Sequence, residues 1–220
     1  MTWEAGQGAG GYTLVLPPGW RRIPLRQGTS AALRKILDDA FSRLPRDKVA
    51  PYRIEVERRM KQQIADARRN AGIDMYIPVE RAASGPVPAS FVVSDAFLGP
   101  ADSAEAVDPA QVVAYLASEG GEGGEGGEGG STRIAHLDGA SGVRVEATVP
   151  GDPGAELPYG SRRCQYIVPV PGHAGRWLLV TFSTPGARDP DGEFATLLTE
   201  LFDAIMSTFR WTPVPERAHG

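Results

Sequence analysis

A single cysteine, Cys164, rules out any intrachain disulfide. The three histidines, His136, His173 and His219, form no HxH, HExxH or Cys/His pair, so zinc finds no ligand set and no metal or cofactor is expected. No apolar run approaches the ~18 residues that a membrane-spanning helix needs. The opening MTWEAGQGAGGYTLVLPPGW has neither a basic start nor a long apolar stretch. No secretory signal is expected from it, and a cytoplasmic location is the default reading. The net charge of −4 argues against a nucleic-acid binder held by bulk charge. Lysine is scarce, 3 against 20 arginines. With abundant Ala, Gly and Pro, that reflects the codons of a high-GC bacterial genome and not chemistry.

Catalytic signatures are also missing. There is no GxxxxGK[ST] loop, and Ser141 in GASGV lacks the spacing of a GxSxG elbow. Gly6 to Gly11 satisfies GxGxxG, but no strand precedes it and a strand follows, so the physical basis of a dinucleotide fingerprint is absent. No nucleophile, base and oxyanion donors come together, and the chain is not expected to be an enzyme.

What is present is enough apolar residue, 41%, to build a core. The chain is organised around its C-terminal fifth, Arg162 to Trp211: two strands, RRCQYIVPVPG and RWLLVTFSTPG, then a helix DGEFATLLTELFDAIMSTFRW. Trp177 and Leu179 point one way, Leu178, Val180 and Phe182 the other. A strand apolar on both sides belongs where both sheet surfaces are covered. The helix carries Phe194, Leu197, Leu198, Leu201, Phe202, Ile205, Met206 and Phe209 at spacings of three and four, with Thr199, Glu200, Asp203 and Ser207 expected mostly outside.

Earlier in the chain, Tyr12 to Leu16 reads as a strand stopped by Pro17-Pro18-Gly19, with Trp20 beneath the turn. Thr29 to Leu44 and Pro51 to Ala71 read as helices forming a hairpin, the second closed by Gly72. Its apolar stripe is Val56, Met60, Ile64, Ala67 and Ala71. Arg53, Arg58, Arg59, Lys61, Arg68 and Arg69 make the rest either a solvated face or a basic ridge for an acidic partner. Asp74 to Arg81 and Ala89 to Leu98 are an expected antiparallel pair, and Pro109 to Ser118 a short helix. The GGE repeats of residues 119–131 hold no apolar residue and are expected to be a disordered loop. Thr132 to His136 and Ser141 to Val149 form a hairpin around Asp138-Gly139. Cys164 alternates with Tyr166 and Val168, as a buried thiol would. Asp189 to Glu193 reads as an acidic helix cap in preference to a calcium loop.

The strand ending in PPGW, the hairpin feeding YIVPVPG and WLLVTFSTPG, and the closing helix ending in FRW resemble the PsbP-like (Mog, PsbP and LpqN-type) α/β/α sandwich superfamily. The resemblance covers Tyr12 to Trp20 and Thr132 to Trp211. It implies an α+β fold, a largely antiparallel sheet covered by helices on both faces, here with an inserted helical hairpin at residues 29–71. It also implies a non-enzymatic domain that docks on another macromolecule. Residues 12–211 are expected to form one domain between flexible tails, 1–11 and 212–220. The expected function is that of a cytoplasmic protein-interaction or adaptor domain, with Arg58, Arg59 and Arg68 as contacts and Trp20 or Tyr159 helping if exposed. The alternative is a lipid or metabolite binder with a pocket between the sheet and the helical hairpin.

Overall fold

The computed structural model describes residues 9–42, 46–79, 81–82, 85–97, 108, 110–111, 113–115, 130–151, 160–185 and 188–213. The elements run β1 (Ala9–Thr13), β2 (Trp20–Pro24), α1 (Thr29–Phe41), α2 (Arg46–Arg69), β3 (Gly72–Pro78), β4 (Arg81–Ala82), β5 (Gly85–Pro86) and β6 (Ser90–Phe97). They continue with β7 (Ser131–Leu137), β8 (Ala140–Val149), β9 (Ser161–Pro169), β10 (Arg176–Thr184), α3 (Glu193–Ser207) and β11 (Arg210–Pro213). Residues 110–111 and 113–115 are also helical. The fold is α+β, its sheet built from antiparallel pairs, as expected. The chain divides into two compact units, Leu16–Asp95 and Met1–Val15 with Ala96–Gly220.

In the first of these, β2 pairs with β3 and β3 with β6. Ile23, Met75 and Val92 lie across from one another and share one face. Against that face α1 buries Leu33, Ile36 and Leu37, and α2 buries Ile64 and Ala67. The other face carries Trp20, Tyr76 and Phe91, the last two stacked at 4.4 Å. Sequence patterning missed β2, because WRRIP places two arginines between its apolar residues. The stop of α2 falls on Ala71, in the left-handed region at φ 54. Gly72 serves close packing instead: a Cβ there would meet the Ala67 carbonyl oxygen at 2.6 Å and Leu25 at 2.7 Å.

In the other unit, β10, β9, β8 and β7 pair in that order. The β7–β8 turn is the expected Asp138-Gly139, both with positive φ, 46 and 85. One face sets Val143, Ile167, Trp177 and Leu179 around Val113 of the short helical segment. On the other, Phe182 stacks on Phe202 of α3 at 4.9 Å. RWLLVTFS is therefore apolar on both sides because both sides are covered. Leu178, Val180 and Phe182 are all buried.

Several expected boundaries change: α2 begins at Arg46 instead of Pro51, β1 ends at Thr13 instead of Leu16, β3 runs Gly72–Pro78 instead of Asp74–Arg81, and the last helix and the N-terminal tail change as well. The last helix does not reach Trp211 but ends at Ser207, and residues 210–213 form β11, paired with β1. Ala9 to Gly11, expected in the tail, belong to that pair. The cause is aromatic: Phe209 stacks on Tyr12 at 5.6 Å and meets Trp211 edge-on at 4.8 Å. Burying Phe209 and Trp211 against Tyr12 favours a strand turning back over a helix running on into solvent.

Candidate docking site

The 24 residues of α2 span about 36 Å at ~1.5 Å per residue. Among the described residues its apolar anchors lie in the C-terminal half: Ile64 and Ala67 are buried, with Met60 packed beside them. In the N-terminal half Tyr52 is 72% exposed, Ile54 69% and Val56 38%. Val56 therefore leaves the inward stripe expected of it. Tyr52 continues the same row one turn earlier, and Ile54 lies off it. Three large apolar side chains on view within five residues of one helix are unusual for a surface that contacts only water.

The arginines beside them form local pairs. Arg58 donates two hydrogen bonds to Glu55, at 3.0 and 2.9 Å, and Arg59 one at 2.7 Å. These bonds, Arg58 first, pull the Glu55 carboxyl down to about 2. Both arginines remain over half exposed, at 55%. Lys61 pairs with Glu57 at 2.7 Å, and Arg69 with Asp66. The helix as a whole has eight cations and four carboxylates, while the full chain is at −4. Positive charge is concentrated here on an otherwise acidic protein.

Of the residues the sequence proposed, Arg58 and Arg59 do lie on this open face. Arg68 is committed to the fold: its Nε donates to the Leu25 carbonyl and its guanidinium to the Thr29 hydroxyl, both at 2.7 Å. Trp20 is 6% exposed and tilted against Phe91, so the exposure a contact role requires is missing. Tyr159, His219 and most of the GGE tract lie outside the described residues. Tyr52 and Ile54 were missed because a stripe search looks for inward residues. The available signal was that two large apolar residues on a strongly charged helix had no assigned core position.

A second polar centre sits beneath α3. Arg144, 4% exposed, donates to Asp203 at 2.9 Å and pairs with Glu146 at 2.6 Å. Arg162 joins Glu146 to Thr196, and Tyr166 donates its hydroxyl to Asp203 at 2.8 Å. Asp203 and Thr199, expected outside, thus face the sheet, while Phe194 and Leu197 are exposed. The reversal is possible because each buried polar group is satisfied; the Thr199 hydroxyl donates to the Ala195 carbonyl. Burial pushes the Cys164 thiol up to about 12, and burial, followed by the Asp203 hydrogen bond, raises the Tyr166 hydroxyl. A thiol so protonated is a poor nucleophile. His136 and Ser141 are cross-strand partners 3.1 Å apart on an exposed hairpin, and the His173 ring contacts the Ala9 carbonyl.

The cavity associated with the hairpin lies between α1 and α2 themselves, not between hairpin and sheet. It measures about 770 Å³. Among the described residues no cluster of His, Cys, Asp and Glu is placed to hold a metal, and no helix is long and apolar enough to cross a membrane.

No family model matches the chain, and no curated protein does. Among solved structures it is similar to the crystal structure of LpqN, involved in cell envelope biogenesis of Mycobacterium tuberculosis. The two are 17% identical, the match covers 94% of this chain and 87% of that one, and the TM-score is 0.46. This is a distant likeness of fold and nothing finer.

Proposed function

We propose that the chain is a non-catalytic docking domain that presents the N-terminal half of α2 to a partner protein. The observation that carries this reading is the exposure of Tyr52, Ile54 and Val56 on the same stretch of helix as Arg58 and Arg59. Aromatic residues and arginines dominate binding energy at interfaces, and this stretch of helix offers both beside exposed aliphatic side chains. The local positive charge selects a partner with an acidic rim, where it sets association rate and specificity more than affinity. The buried, protonated Cys164 supports the non-catalytic half of the reading. The cytoplasmic setting rests on the sequence alone.

The test places a photo-crosslinking residue at Ile54 in one variant and at Glu200 of α3 in another, in the source cells. The expected result is one dominant crosslinked protein at position 54, absent at 200, joined through an acidic segment. Arg58→Glu with Arg59→Glu removes that crosslink from a domain that still folds. Equal crosslinking at both positions, or none at 54, sinks the reading.

A further inference from the structure

We infer that the cleft between α1 and α2 binds a small polyanion bearing several phosphate groups, at a site distinct from the exposed face of α2 proposed for docking. Its volume of about 770 Å³ falls within the range of small-molecule sites, roughly 300–1,000 Å³. The floor is Leu33, Leu37 and Ile64, each no more than 5% exposed. Apolar contact there is already used up inside the fold, so a lipid tail would gain little. Among the described residues no aromatic side chain lines the cleft, so a nucleobase has nothing there to stack on.

Charge is what remains. Arg34, Arg53, Lys61, Arg68 and Arg69 face the space against Asp38 and Glu57. Cations from both helices converge on one carboxylate: Lys61 hydrogen-bonds Glu57, and Arg53 and Arg34 act on it from further off, holding it below its usual range. Arg53 also reaches across the cleft to Asp38 at 2.6 Å. With Arg69 paired to Asp66 outside the cleft lining, Asp38 and Glu57 still serve four cations, and Arg68 is already fixed in position by Leu25 and Thr29. A guanidinium held in place before binding loses little side-chain freedom when an anion arrives. Forked donors from several arginines suit the many oxygens of linked phosphates better than a single carboxylate.

The test is calorimetric titration of the full chain at low ionic strength with tripolyphosphate and, in a parallel arm, citrate. The account expects saturable binding of one tripolyphosphate, weaker binding of citrate, and weakening of both as salt rises. Arg34→Gln with Lys61→Gln, shown folded by circular dichroism, should lower tripolyphosphate affinity by about tenfold or more. Arg58→Gln with Arg59→Gln should leave it unchanged, which separates this site from the docking face. Absence of saturable binding, citrate equal to tripolyphosphate, or equal losses in the two double variants would overturn the proposal.

Discussion

The two long helices of the protein, α2 and α3, invert each other's logic. Helix α3 turns Thr199 and Asp203 inward and leaves Phe194 and Leu197 outside. Helix α2 buries Ile64 and Ala67 at one end and displays Tyr52, Ile54 and Val56 at the other. In α3 the inward polar groups are matched by Arg144, Tyr166 and the helix's own carbonyls, so their burial fixes how the helix sits on the strands. In α2 the exposed apolar groups keep between about a third and three quarters of their surface open, Val56 38% and Tyr52 72%. The lesson is that the side of a helix holding the fold together is set by what satisfies each group, and hydrophobicity alone does not reveal it.

The sharpest way to break the contrast is at Asp203. Removing its carboxylate by Asp203→Ala leaves the Arg144 charge buried beside Glu146 alone. The expected cost is ~3–5 kcal/mol, measured by urea unfolding. A cost below about 1 kcal/mol would show that Asp203 is a solvated residue after all. Next in size is Ile64→Ala, which opens a cavity in the anchored half of α2 and should cost ~2–4 kcal/mol. A third variable is pH. The folded Cys164 and Tyr166 titrate above their unfolded values, so what they contribute to stability is complete below pH ~8.5 and is lost as pH rises towards 12 and beyond. Urea midpoints should therefore fall on the alkaline side, and Cys164→Ala should flatten part of that fall. The smallest expected effect is in the displayed half of α2, where Tyr52→Ala, Ile54→Ala and Val56→Ala should each stay within about 0.5 kcal/mol of the parent.

Much of the fold was legible. RWLLVTFS announced a strand covered on both sides, Asp138-Gly139 announced its hairpin, and leucines at helical spacing announced α1. Three things were hidden. Strand β2 was masked by two adjacent arginines, one of which, Arg22, meets Asp74 far along the chain at 2.6 Å. The β1–β11 pair depends on a contact between residues some 200 positions apart, which no local pattern carries. The orientation of α3 was misjudged because Asp203 reads as solvent-facing until Arg144 and Tyr166 are brought beneath it. At the candidate site, periodicity found the basic helix and two of its exposed arginines. It also assigned a contact role to Arg68, whose hydrogen bonds to Leu25 and Thr29 no spacing rule reveals, and to Trp20, which the strand places inside.

The central claim is that Tyr52, Ile54 and Val56 of α2 are displayed at the surface and contribute nothing to the core. The most direct measurement is the Tm of the triple variant Tyr52→Ala, Ile54→Ala, Val56→Ala beside that of Ile64→Ala. The account predicts a triple variant that melts with the parent while the single Ile64 change lowers Tm by several degrees. A triple variant that melts as low as Ile64→Ala would contradict it, because those side chains would then be part of the core.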